Sequence, residues 1–145
     1  YMLLFGGFGP GGKGGGIVYL NETWTYTAAT GWIHARILQS PPTRVWMSMA
    51  YYPKGGDVVL FAGQQSGNKT GDPTLDDTWT YSGGIWRNVT GALPALPHGR
   101  FSAVFALDPS SGSLALFGGL SATLVGSPVL DDTWSFEGAW TNEAP

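Results

Sequence analysis

The chain has 145 residues, enough for one domain with a modest core. Its formal net charge is −3 and only 12% of its residues are charged, which argues against a nucleic-acid partner because such partners require a basic patch. Cysteine is absent, so the sequence offers no disulfide framework, and no apolar run is long enough to insert into a membrane as a helix.

Glycine, proline and aromatic residues are all abundant, a composition typical of proteins built from many short strands. In chain order, four elements recur with a spacing of 54 to 56 residues. They are an arginine before a strand (Arg44, Arg100), a strand ending in glycine (Gly7, Gly63, Gly119), a strand tryptophan (Trp24, Trp79, Trp134) and a later tryptophan (Trp32, Trp86, Trp140).

Each repeat is predicted to form four short strands. The first covers residues 45–51 or 101–107, and the second covers residues 57–61 in the middle repeat. The third covers residues 78–81, and the fourth begins at Trp86. These segments are rich in β-branched and aromatic residues and are bounded by Gly, Pro and Asp, and no segment has the sustained period of an amphipathic helix.

The order of these elements resembles the kelch repeat, in the form also seen in galactose-oxidase-like propellers. The resemblance implies an all-β chain, a β-propeller fragment of four-stranded antiparallel blades. It divides the chain into blade 1 without its first strand (1–40), blade 2 (41–96) and blade 3 (97–145), about two and three-quarter blades.

A closed propeller has roughly 4–8 blades. We therefore expect the ring to be completed either by the remaining blades of a longer chain or by other copies of this one. Unpaired edges and open blade faces would otherwise be prone to association.

A glycine-rich run, GGFGPGGKGGG, contains G-x-G-x-x-G at Gly7, Gly9 and Gly12. A phosphate-binding loop requires Ser or Thr after the lysine and a helix behind it. Gly14 follows Lys13, and a strand-like IVYL comes next. The run is therefore predicted to be a flexible loop between the second and third strands of its repeat.

The paired aspartates 76–77 and 131–132 are predicted to form turns, in which the carboxylate accepts backbone N–H groups. A calcium or acid/base site is the alternative. Because the pair recurs in two repeats, the turn is favoured. The two histidines, His34 and His98, lie in non-equivalent positions and predict no metal site. We expect no cofactor and no catalytic residues.

Four residues are candidates for ligand binding: Arg44, Trp46, His98 and Arg100. The resemblance places the arginines near one face of the ring, in blade-to-blade hydrogen bonds, with ligand contact as the alternative. Trp46 aligns with Ser102 and is not repeated, so it can stack on a sugar or peptide, although packing between blades remains the favoured role.

Three Asn-x-Thr sequons, at Asn21, Asn68 and Asn88, indicate an extracellular or cell-surface protein, with a cytoplasmic location as the alternative. The predicted function is a non-catalytic scaffold that binds a protein or glycan. The alternatives are the non-catalytic portion of a galactose-oxidase-like enzyme, whose active-site residues lie outside this chain, and a purely structural segment of a large surface protein.

Overall fold

The computed structural model describes residues 1–11, 15–65, 73–122 and 129–143. The prediction of an all-β chain is confirmed, because the described residues form strands and a single 3-10 turn at Thr90–Ala92. The strands are β1 (Met2–Phe5), β2 (Phe8–Pro10), β3 (Ile17–Tyr19), β4 (Thr23–Thr27), β5 (Gly31–Ala35), β6 (Ser48–Tyr52), β7 (Asp57–Gln64), β8 (Thr74–Ser82), β9 (Ile85–Asn88), β10 (Val104–Leu107), β11 (Leu114–Phe117), β12 (Thr133–Phe136) and β13 (Trp140–Glu143).

The strands form four antiparallel sheets. The first sheet has the order β1-β4-β5, the second β6-β7-β8-β9 and the third β10-β11-β12-β13. Strands β2 and β3 form a separate hairpin. Each of the three larger sheets therefore corresponds to one repeat of the sequence. Their assignment to blades of a propeller stays a prediction.

The first strand of the repeat begins later than the sequence predicts, at Ser48 and Val104. Trp46 and Ser102 have φ angles of 54° and 57°, in the left-handed region that interrupts extended backbone. Strand alternation therefore does not extend back to Trp46. Ahead of the interruption, a single bridge pairs Val45 with Gln64, and another pairs Phe101 with Leu120.

Two consecutive positive φ angles lie near the end of the second strand of each repeat, at residues 6–7, 62–63 and 118–119, and in the second repeat they form a bulge within β7. The second residue of the pair donates its N–H to the next repeat, from Gly7 to the Arg44 carbonyl and from Gly63 to the Arg100 carbonyl. A Cβ on Gly63 would lie 2.9 Å from the Val45 carbonyl oxygen. Glycine is needed there both for its backbone angle and for this close approach.

Two hydrophobic clusters hold the three sheets together. One lies between the first and second sheets and includes Phe5, Leu60 and Trp86. The other lies between the second and third sheets and includes Phe61, Leu116, Phe136 and Trp140. The core is therefore divided between two face-to-face sheet interfaces.

The two interfaces use the same contacts. The indole N–H of Trp86 donates to the Thr23 hydroxyl at 3.0 Å, and that of Trp140 donates to the Thr78 hydroxyl at 2.9 Å. The rings of Trp86 and Phe5 lie 5.1 Å apart, and those of Trp140 and Phe61 lie 4.9 Å apart. The sequence repeat is thus a repeat of one packing unit: Phe and Thr on one sheet receive Trp from the next.

The glycine-rich run lies between the second and third strands of its repeat, as the sequence predicts, and part of it forms the β2–β3 hairpin instead of a loop. The Gly11 N–H donates to the Gly16 carbonyl at 2.8 Å, and Phe8 pairs with Tyr19 across the hairpin. Strand β3 follows the run where a phosphate-binding loop requires a helix. Residues 12–14 lie outside the described residues.

Candidate functional site

Arg44 and Arg100 have identical buried surroundings. Arg44 donates to both carboxylate oxygens of Asp77, at 2.6 and 2.7 Å, and to the Ala62 carbonyl. Arg100 donates in the same way to Asp132, at 2.6 and 2.8 Å, and to the Gly118 carbonyl. Bidentate geometry makes these strong, directional contacts. Both guanidinium groups therefore hold a sheet together and present no face to a ligand.

The two aspartates that accept these arginines also accept an indole N–H from the tryptophan two residues on. Trp79 donates to Asp77 at 2.6 Å, and Trp134 donates to Asp132 at 2.7 Å. The bond from Arg100 holds the pKa of Asp132 below its ordinary value, although burial opposes the shift. These two carboxylates thus bond side chains, which the predicted turn role does not include, although a bond from its own backbone N–H also lowers the pKa of Asp132.

The first sheet has a glutamate at the position of these aspartates. Glu22 accepts the Trp24 indole N–H at 2.9 Å, so the contact between the carboxylate and the tryptophan two residues on is kept. Among the described residues Glu22 forms no ion pair. The repeat position of Arg44 and Arg100 lies ahead of residue 1 in this sheet.

Trp46 and His98 are the two binding candidates whose side chains are exposed, and Trp46 is the aromatic one. Its side chain is 45% exposed, and its ring tilts over that of Phe101 at a centroid distance of 5.7 Å. The Ser102 N–H donates to its carbonyl at 2.9 Å, which ties the second repeat to the third. Trp46 thus has both a partial packing contact between repeats and an accessible aromatic surface.

Trp46 lies at the end of the second sheet where the connection from β7 to β8, the longest in that sheet, begins. The bridge from Val45 to Gln64 places it beside the last residue of β7. At this end the hydroxyl of Thr74, the first residue of β8, accepts the N–H of Ala122 in the connection after β11 at 2.9 Å, so neighbouring repeats touch here. Long connections supported by a rigid scaffold are where binding residues concentrate.

The remaining candidates, His98 and the three sequon asparagines, differ in their exposure and in whether the structure describes them. His98 is exposed, and its carbonyl accepts the Nε–H of Arg100 at 3.0 Å, so only its backbone has an assigned role. Asn21 and Asn88 are exposed, whereas Asn68 lies outside the described residues. The hydroxyls of Thr23 and Thr90, which complete the two described sequons, bond within the fold.

Within the described ranges, no group of three or more His, Asp or Glu side chains converges as a metal site requires. The 3-10 turn, which is the helical segment of the described chain, is too short to cross a membrane.

Sequence reasoning missed two features of the site. The first is the arginine–aspartate pairing. A comparison of the second and third repeats gives a signal for it, because Arg44 and Arg100 precede their aspartates by similar separations of 33 and 32 residues. The second is the left-handed backbone at Trp46 and Ser102, for which the residue types give no signal.

The chain is similar in fold to the solved structure of YjhT, with a TM-score of 0.72 and 13% sequence identity. The similarity covers 99% of this chain and 48% of that one, so this chain spans about half the length of YjhT. No protein-family model and no curated protein matches the sequence.

Proposed function

We propose that the chain is a segment of a kelch-type propeller that acts as a non-catalytic scaffold for a protein or glycan ligand. Three repeats form three sheets that pack through the same Trp–Thr and Trp–Phe contacts, as successive blades do. The similarity to YjhT supports the fold. The exposed sequon residues Asn21 and Asn88 favour an extracellular or cell-surface location.

The observation that carries the binding function is the exposed ring of Trp46. Ser102 adopts the same left-handed backbone at the same repeat position, so the repeat does not require an aromatic side chain there. The exposed indole places substantial apolar surface in contact with water. Stacking of a sugar or peptide on the ring removes that surface from water, which is favourable. Trp46 is therefore the proposed ligand contact.

The test is a glycan and peptide binding screen with Trp46→Ala and Trp46→Phe. Ligands that bind the wild-type chain should bind Trp46→Ala about tenfold or more weakly, as expected for an aromatic anchor, and Trp46→Phe should recover part of the loss. Ile85→Ala, which removes an exposed apolar side chain from the β8–β9 turn, is the matched control. Equal binding by wild type and Trp46→Ala would contradict the proposal.

We propose further that a second copy completes the arrangement of sheets. Trp32 is 49% exposed, whereas its repeat equivalents Trp86 and Trp140 are buried. At the opposite end Phe117 is 52% exposed, whereas Phe5 and Phe61 are buried. Among the described residues, no tryptophan of a following sheet covers Phe117 on the third sheet, and Trp32 on the first sheet packs on no preceding sheet.

These two faces are complementary in a head-to-tail pair. Trp32 of one copy packs on Phe117 of the other and donates to the Thr133 hydroxyl, which is half-buried here and fully buried at the equivalent Thr23 and Thr78. A heterologous contact closes when the rotation it produces completes a ring. The remaining blades of a longer chain are the alternative occupants of these two faces.

A further inference from the structure

The second repeat has a glycosylation sequon at the free edge of its sheet. Asn88 is the last residue of β9, and Thr90 completes the triplet. Within the described part of the chain β9 pairs with β8 alone, so the backbone groups on its other side are unpaired. Neighbouring sheets cover both faces of this sheet, yet Ile85, Arg87 and Asn88 of β9 are exposed. The edge of β9 is therefore open in a sheet whose faces are already packed.

The carboxamide of Asn88 is oriented for modification. Its Oδ1 accepts the Thr90 N–H at 3.0 Å. Among the described residues nothing accepts a hydrogen bond from its Nδ2, and Asn88 is exposed. Because the oxygen and the nitrogen are two branches of one planar amide, a backbone bond to the oxygen leaves the nitrogen accessible. In an Asn-x-Thr sequon this nitrogen is the atom that receives a glycan.

The rest of the triplet is held by the fold. The Thr90 hydroxyl accepts the Thr78 N–H at 2.9 Å and donates to the Thr78 carbonyl at 3.3 Å. Thr90 also begins the 3-10 turn that follows β9. A substituent on the exposed Asn88 therefore has a fixed attachment point at the surface and displaces no buried side chain. Asn21 differs, because it precedes β4, which is paired on both sides by β1 and β5.

The packing of the repeat does not require this triplet. Asn88 and Asn142 pair with the strand tryptophans of their sheets in the same register. Asn142 is followed by Glu and Ala, which do not form a sequon, and the first repeat has His34 at this position. The three sheets thus form with three different sequences here. The sequon of the second repeat is therefore a feature of that repeat alone.

We propose, on the basis of the extracellular location in the proposed function, that Asn88 carries an N-linked glycan that shields the free edge of β9. An oligosaccharyltransferase supplies the glycan from a lipid-linked oligosaccharide phosphate. Nδ2 of Asn88 forms a bond to the anomeric carbon, and the bond from that carbon to the phosphate oxygen breaks. The lipid phosphate leaves with the electron pair, and Nδ2 loses one proton to a base of the transferase.

A glycan at this position has a physical role. The unpaired groups of β9, together with the exposed side chain of Ile85, form an edge on which a strand of another molecule can pair. A bulky, hydrated glycan on Asn88 occupies the space beside that edge. Trp46 lies just before β6, at the opposite edge of the sheet, and strands spaced about 4.8 Å apart place the two edges about 14 Å from each other. The glycan therefore leaves the Trp46 ring open to its ligand.

The test is mass spectrometry of the full chain secreted from cultured insect cells, with an unrelated glycoprotein from the same cells as a positive control. The tryptic peptides that contain Asn88, residues 88–100 or 70–100, have no other asparagine. They should gain the mass of a glycan, and an amidase that releases N-linked glycans should convert Asn88 to Asp. Unmodified Asn88 in the wild-type chain, beside a glycosylated control protein, would overturn the proposal.

Two variants separate the sequon from the fold. Asn88→Gln should lose the glycan on these peptides. Thr90→Ser should keep it, because serine completes the sequon and retains the hydroxyl that bonds Thr78. The host imposes secretion, and no ligand of Trp46 takes part, so an unmodified Asn88 contradicts the glycan without affecting the binding role. The Trp46 screen is made on chain from bacteria that lack the transferase, so its failure leaves the glycan measurement informative.

The shielding role is tested by light scattering of the secreted chains at rising concentration. Asn88→Gln should aggregate at a lower concentration than wild type, because its β9 edge is uncovered. Asn142→Gln is the matched control, since it changes the exposed equivalent asparagine outside a sequon, and it should behave as wild type does. The same three chains from bacteria should aggregate alike. Equal aggregation of secreted wild type and Asn88→Gln would overturn the shielding role.

Discussion

The first and second sheets contain the same sequence elements in different surroundings. The second sheet has a neighbour on each face, and its Trp86, Phe61 and Arg44 are buried. Among the described residues, the first sheet has a neighbour on one face, and the equivalent Trp32 is half exposed. A residue of the repeat is thus buried or exposed according to whether a neighbouring sheet is present, and not according to its own type.

This comparison makes the exposed members of the repeat informative. A packing unit seen twice among the described residues identifies what Phe117 and Thr133 lack there, which is a tryptophan from a following sheet. Substitutions at equivalent positions of two sheets should therefore change folding stability by unequal amounts, according to whether the contact is made in each sheet.

The largest difference is expected between the carboxylates. Asp77→Ala leaves the buried Arg44 without its partner and should lower the free energy of unfolding by about 3–5 kcal/mol. Glu22→Ala loses only the contact with Trp24 and should cost about 1 kcal/mol or less. Urea denaturation of the two variants measures the difference. Equal costs would mean that the arginine–aspartate pair does not stabilise the second sheet.

Should Asp77→Ala fail to fold, Asp77→Asn provides the same comparison. It keeps one acceptor for the guanidinium and removes the charge, so its loss of stability should lie between those of Asp77→Ala and Glu22→Ala. A variant as stable as wild type would contradict the role assigned to the charge.

A smaller difference is expected between the bulge glycines. Gly63 and Gly7 have φ angles of 101° and 93°, so alanine is strained at both. A Cβ on Gly63 meets the Val45 carbonyl oxygen at 2.9 Å, whereas one on Gly7 meets nothing within 4 Å. Gly63→Ala should therefore destabilise the fold by about 1–2 kcal/mol more than Gly7→Ala does. Its melting temperature should accordingly be the lower of the two. A reversed order would show that the close approach at Gly63 is unimportant.

The threonines of the packing unit give the next prediction. Thr78→Val leaves the buried Trp140 N–H without its acceptor and should cost about 1–3 kcal/mol. Thr133→Val should change the free energy of unfolding of a single copy by no more than about 0.5 kcal/mol, since no tryptophan among the described residues donates to the half-buried Thr133 hydroxyl. Denaturation at low protein concentration measures both. Similar losses would contradict the equivalence of the two positions.

The smallest expected effect is a change of folding stability with pH. Arg100 lowers the pKa of Asp132 in the folded chain from the ordinary 3.8, so the folded state favours the ionised carboxylate. The resulting stability is fully present above that ordinary value, and it is lost as the pH falls towards the lower folded pKa. The urea midpoint of wild type should therefore fall over this interval more steeply than that of Asp132→Asn. Parallel curves would contradict the assignment.

Much of the fold follows from the sequence. Three glycine elements spaced 56 residues apart, with tryptophans in fixed order between them, predict repeated strands in an all-β chain. The late start of β6 and β10 does not follow, because it depends on the left-handed backbone at Trp46 and Ser102. Residue types at these two positions are unrelated, and neither favours that conformation.

The candidate site is less predictable than the fold. The sequence singles out Trp46 because it breaks the repeat, and the structure leaves its ring accessible. It also offers Arg44 and Arg100 as ligand contacts, but their guanidinium groups bind carboxylates more than 30 residues away. Pairing at that distance depends on which strands are neighbours, and propensity and spacing within one segment do not give this information.

The account is tested most directly by the mass of the chain in solution, measured by light scattering after size exclusion. If the open faces of the first and third sheets are complementary, the wild-type chain should have the mass of two copies. Trp32→Ala should then have the mass of one, while Ile85→Ala should stay at two. A wild-type chain with the mass of one copy at high concentration, or a Trp32→Ala chain that still pairs, would contradict the account.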